Sequence, residues 1–192
     1  FLPEEWQLEG DTTADLAANW RQGGAQWQAD LRILSDLAIT AINDFGQPVE
    51  LPRISIDAQV EANQAQADAN IQLSLAEAGE LGLTLSINDP IGEGGLSGEL
   101  SADDVSLAPY RPLMVGMDRL EGDLTGSVQI TGTTAQPDLQ GQLGLRGIRV
   151  SGPDIPVDVQ DGELIVSFDG EQGDIAGHLA AERGRLEITG DA

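Results

Sequence analysis

The sequence has no cysteine and no lysine, one histidine (His178) and one tyrosine (Tyr110). Without cysteine there is no disulfide and no thiolate metal site, although this leaves the compartment open. Without cysteine or lysine, and with a single histidine, no nucleophile–base pair and no histidine-rich metal site can be assembled. Neither an enzyme nor a cofactor-binding protein is therefore expected. Bases of any kind are scarce: nine arginines face 33 acidic residues, a formal net charge of −24. Such a chain repels phosphate backbones and anionic membrane surfaces, which excludes nucleic acid as a partner. Aromatic residues make up only 4% of the chain. No apolar run approaches the ~18 residues of a membrane-crossing helix, and there is no secretory signal.

What is present is alternation. Across the 192 residues, 40% are hydrophobic, and they fall on every second position, which is the signature of half-buried strands. Trp27, Ala29, Leu31 and Ile33 form one such set; Ile54, Ile56, Ala58, Val60 and Ala62 another. Ile71, Leu73 and Leu75 follow, then Leu81, Leu83, Leu85 and Ile87. The same beat returns at Leu124, Val128 and Ile130, at Leu139, Leu143 and Leu145, at Leu164, Val166 and Phe168, and at Leu186 and Ile188. Turn-forming clusters punctuate it: "QGG", "FGQP", "NDP", "GEGG", "QDG", "FDG" and "ERG". A strand plus turn every 10 to 15 residues or so predicts an antiparallel meander of about a dozen strands. The segment 13–20 reads as the first arm of a hairpin turning at Gly23-Gly24. The segment 101–114, with Ser101 as a cap and two prolines, reads as a helical turn or a crossover loop.

The remaining motifs have bland readings. "FDGEQGDIAG" (168–177) has the glycine–aspartate flavour of a calcium repeat but no tandem copies, and Asp-Gly is a common hairpin turn. "GEGGLSG" (92–98) lacks the strand–helix context of a phosphate cradle and reads as a turn. His178 reads as an outward strand residue. Trp6, Trp20 and Trp27 read as core anchors of the first hairpin, or else as a wall for an apolar ligand.

One phrase goes further. "GDLTGSVQITGTTAQPDLQGQLGLRGIRV" (122–150) sets Leu124, Gly126, Val128, Ile130, Gly132 and Thr133 before Pro137, Leu139, Gly141, Leu143 and Leu145. This arrangement resembles the C-terminal region of the TamB family, subunits of the translocation and assembly module, and more widely the AsmA-like and VPS-type bridge proteins. The resemblance implies a β-taco: a long antiparallel sheet folded lengthwise into an open apolar groove. It implies residues 1–192 as one segment of a larger periplasmic protein of Gram-negative bacteria, its inner-membrane anchor outside this sequence. It also implies a groove that shelters phospholipid acyl chains between inner and outer membranes. Its expected partner is TamA, an outer-membrane barrel, in the assembly of autotransporters and other outer-membrane proteins.

On this reading the groove is lined by Ile56, Val60, Leu73, Leu75, Leu83, Leu85, Leu124, Val128, Ile130, Leu139, Leu143 and Leu145. Small inward residues such as Ala58, Ala67, Ala69 and Gly126 would leave it width. Each methylene sheltered from water is worth about 0.8 kcal/mol, so a two-chain lipid gains strongly from such a lining. Parity alone leaves two alternatives open. The same alternation would build a closed β-sandwich or barrel with a filled core. Exposed sheet edges would also template strands of unfolded outer-membrane proteins by β-augmentation.

Overall fold

The structure is a computed structural model that describes residues 7–21, 26–43, 45–114 and 116–191. The described residues form twelve strands in one antiparallel sheet. They are β1 (Gln7–Trp20), β2 (Trp27–Ile42), β3 (Pro48–Glu50), β4 (Ile54–Asn63), β5 (Gln66–Leu75) and β6 (Gly79–Asn88). Then come β7 (Gly95–Ser106), β8 (Arg119–Gly132), β9 (Pro137–Ser151), β10 (Val159–Gly170), β11 (Gln172–Ala181) and β12 (Gly184–Asp191). The spatial order follows the chain from β1 to β12, with only the short β3 off the path, beside β2. This is the meander the spacing predicts.

The sheet does not close. β1 pairs with β2 and β12 with β11, and among the described residues no strand occupies the outer edge of either. Nor is there a filled core. The chain exposes 12505 Å², whereas a compact monomer of this size exposes about 8,700 Å². Only Ala41, Leu75, Ala78, Ala102 and Val128 are buried hydrophobics among the described residues. The closed sandwich or barrel is thereby excluded, and the all-β open sheet is consistent with a β-taco.

Three local expectations need correction. Ser101 caps no helix: it is a mid-strand residue of β7, paired with Gly82 and Ser127. The break in alternation there is a β-bulge between Ala102 and Val105, with Asp104 at φ 47°. The helical turn comes later, as a 3-10 segment at Ala108–Leu113 with proline in its first turn and no side-chain cap. "QDG" (160–162) is likewise a bulge inside β10, between Val159 and Asp161, rather than a turn. The strands run from 8 to 16 residues outside the three-residue β3, longer than a minimal leaflet-wide span. Fourteen-residue β8 is about 46 Å long at ~3.3 Å per residue.

Other expectations hold in whole or in part. β1 pairs with β2 without a break from Gln7↔Thr40 to Trp20↔Trp27; the turn at Gly23-Gly24 lies outside the described residues. The tight β10–β11 hairpin falls at "FDG" as expected: Asp169 pairs with Gln172 and the loop is Gly170-Glu171, with Gly170 at φ 72°. Of the glycine-rich stretch 92–98, Gly92 and Glu93 lie in the turn before β7, as expected, whereas Gly95 to Gly98 are already in that strand.

Candidate functional site: one apolar face of an open sheet

The register converts alternation into continuous rows. One row runs Ala14–Ile33–Ala58–Ile71–Leu83–Leu100–Val128–Gly141–Phe168, each residue opposite the next on neighbouring strands. A second runs Ile56–Leu73–Leu81–Ala102–Gly126–Leu143–Val166–Ile175. A third contains Leu16–Leu31–Val60–Ala69–Leu85–Gly98–Ile130–Leu139. A fourth joins Val105–Leu124–Leu145–Leu164. All twelve predicted groove residues thus lie on one face, spread over five of the strands, β4, β5, β6, β8 and β9.

Burial and side-chain character together distinguish that face from its opposite. Leu75 and Val128 are buried, and the other ten predicted groove residues are half-buried. Gln72, Thr84, Gln129 and Gln142, of opposite parity, are exposed. Half-burial is not confined to that parity, since Asp68, Ser74, Ser86, Thr125 and Ser127 share it; what marks the first face is that it is aliphatic, partly covered and still accessible. The deepest point is Val128, 2% exposed, with Leu100 and Gly141 across from it.

Glycine is required where β8 meets β9. Gly126 sits at φ +136°, and a side chain there would collide with the backbone carbonyl of Gln142 on the next strand. Gly141, at the same φ, abuts the carbonyl of Ser127 in the reciprocal way. These residues therefore serve close strand approach, a usual meaning of glycine inside a strand, in addition to leaving width. Ala58 and Ala69 are the inward residues that leave space by small size, opposite Ile71 and Leu85 respectively.

The outer face is polar and cross-linked by exposed ion pairs. Glu121 on β8 accepts hydrogen bonds from Arg119 at 2.7 Å and from Arg149 on β9 at 3.2 Å. Hydrogen bonding from Arg119, then from Arg149, holds the Glu121 carboxyl below the ordinary glutamate range. Arg146 bridges β9 to Glu163 at 2.8 Å and to Thr125 at 3.2 Å. Sequence reading missed this cluster because residues 28 positions apart meet only through the strand register. His178 lies on the outer parity as expected, 3.6 Å from Asp161.

The tryptophans do not form a core. Trp20 is 78% exposed on the edge strand β1, opposite a half-buried Trp27; Trp6 lies outside the described residues. Among the described residues no helix is long and apolar enough to cross a membrane.

The comparisons with known proteins agree with the resemblance at the level of the family. The family described as "TamB, N-terminal domain" matches residues 1–145. The chain belongs to the TamB family. The match corrects the expected region, because it is to the N-terminal domain rather than the C-terminal region. The Gly-alternating phrase at 124–145 is thus no marker of the TamB C-terminus. A similar protein is the translocation and assembly module subunit TamB of Haemophilus influenzae, 21% identical over 142 residues. That alignment covers 74% of this chain but only 11% of the relative. No solved structure matches.

Proposed function

We propose that this TamB-family chain is a groove segment that shelters phospholipid acyl chains on its apolar face, as a carrier rather than a catalyst. One observation carries the reading. A long row-matched aliphatic face is half-buried yet accessible, and among the described residues the strands form a single sheet with no second sheet over it. In a soluble domain a face of this extent marks a binding surface. An acyl chain is the apolar occupant that fits a lining of aliphatics almost without buried polar groups. The exposed acids and amides of the other face keep the outside hydrated.

The wider setting we infer is the one the family suggests for this segment: periplasmic, working with TamA in moving lipid and assembling autotransporters and other outer-membrane proteins. A second reading has its own observation. β1 is a fourteen-residue edge, exposed throughout, without the lysine or proline that guards many edges. It can accept a strand of an unfolded outer-membrane protein by β-augmentation. Native mass spectrometry of the purified chain tests the first reading. Co-purifying phospholipid or detergent adducts support it, and a uniformly bare chain after incubation with phospholipid counts against it.

A further inference from the structure

Val157 and Leu186 are each 58% exposed, and both line a single cavity of about 630 Å³ between residues 156–160 and the β11–β12 hairpin. Val159 and Leu179 complete its aliphatic wall. Leu179 belongs to the apolar face, paired with Gly162 on β10 and with Leu186 on β12. Two residues along β11, Gly177 pairs with Leu164, which continues to Leu145 and Leu124. The cavity is thus an outlet of the groove at the strand ends.

Four charges surround it: Asp158, Glu182, Arg183 and Arg185. Arg183 differs from the other eight arginines. Arg21 and Arg111 donate hydrogen bonds, and the remaining six make ion pairs. Among the described residues Arg183 has neither, in a chain with 33 acidic side chains. A guanidinium with its donors open beside an apolar hollow suits a phosphate, whose oxygens match its planar fork. Asp158 and Glu182, both outside any ion pair among the described residues, add two carboxylates at the same mouth. With Arg185 paired to Glu187 at 3.7 Å, the open charges are one guanidinium and two carboxylates, which favour a ligand that carries both a phosphate and an ammonium over one of net negative charge.

The geometry points to a headgroup seat. Arg183 takes the phosphate, and Asp158 with Glu182 the ammonium, of a zwitterionic aminophospholipid whose acyl chain leads onto the Leu179–Leu164–Leu145 face. The volume lies within the ~300–1,000 Å³ of small-molecule sites, room for a headgroup and the first part of a chain. This inference rests on the groove reading, and the test separates the two. The chain is titrated calorimetrically with monomeric dihexanoyl phosphatidylethanolamine, dihexanoyl phosphatidylglycerol and hexanoate. In parallel, a photo-crosslinker at Leu83 reports long-chain phosphatidylethanolamine in the remote groove. The ethanolamine lipid binds most tightly, and Arg183→Glu, in an exposed turn, raises its Kd about tenfold or more. Arg21→Glu on the β1–β2 connection leaves that Kd unchanged, and Leu83 labelling persists in both variants. An unchanged Kd in Arg183→Glu, or glycerol lipid or hexanoate binding as tightly, overturns the seat while leaving the groove standing. Absence of Leu83 labelling in the unsubstituted chain removes the groove itself, and the seat with it.

Discussion

Leu143→Asp separates an open trough from a sealed core. Leu143 is half-buried, with Gly126 on one side and Val166 on the other. Gly126 offers no side chain to cover it, so a carboxylate placed there keeps access to water. The loss is then about half of the ~1.5–3 kcal/mol that full burial of a leucine is worth, near 1 kcal/mol. Val128→Asp is the contrasting variant. Val128 is 2% exposed, so an unpaired carboxylate is either buried at a penalty of several kcal/mol or kept protonated. Against a total stability of about 5–15 kcal/mol, that is enough to threaten the fold. Urea unfolding followed by circular dichroism at pH 7 reads the difference, with Gln142→Asp as the outer-face control. Leu143→Asp stays folded with a modest midpoint loss, Gln142→Asp matches the parent, and Val128→Asp loses several times more. The Val128 variant's deficit shrinks between pH 7 and pH 5. An acid whose pKa rises on folding destabilises above its folded value and is neutral below the unfolded ~3.9. If Leu143→Asp unfolds as readily as Val128→Asp beside a healthy Gln142→Asp, Leu143 is sealed inside a core and the open trough is wrong.

Glycine substitutions check the close strand approach: Gly126→Ala meets both an unfavourable φ and the Gln142 carbonyl. It therefore destabilises by more than the about 1–2 kcal/mol of a left-handed alanine, the effect expected of Gly147→Ala, where nothing crowds the site; urea midpoints compare them. In a carboxyl-detected titration Glu121 protonates below the ordinary glutamate range, and Arg119→Gln moves it back toward that range. Because its folded pKa is depressed, the small stabilisation it gives is present above the unfolded glutamate pKa and is lost as pH falls through the folded value. Proline scanned along β1 and β12 leaves the β spectrum intact at outward-pointing amides, whereas proline at Gln129 in central β8 abolishes it. Edge templating requires that some tolerated proline in β1 weaken capture of an unfolded barrel protein, and a scan without such a position removes that reading.

The alternation at Ile54–Ala62 and Leu81–Ile87 made the strands and their apolar face legible, because side-chain parity is a local property. Whether a sheet closes is not local. Nor is the close strand approach at Gly126 and Gly141, since nothing in their own sequence neighbourhood states which carbonyl they will meet. Hence an open trough and a closed barrel read alike. Bulges misled for a related reason: an extra residue at Asp103-Asp104 interrupts the period as a helix start does, and Ser101 ahead of two acids resembles a cap. The Arg119–Glu121–Arg149 cluster and the cavity at Val157 and Leu186 were invisible because each is assembled by register between distant segments. The family was legible in the phrase at 122–150 but its region was not, since the same Gly-punctuated alternation suits any stretch of such a sheet.

Parity-resolved photo-crosslinking tests the central claim most directly. Crosslinkers at Ile56, Leu73, Leu83, Val128 and Leu143 face the trough, and those at Gln72, Thr84, Gln129 and Gln142 face solvent. Illumination in the presence of phospholipid, followed by mass spectrometry of the adducts, labels the first set and spares the second if the apolar face holds acyl chains. Equal labelling of both parities, or none on the apolar side, contradicts it.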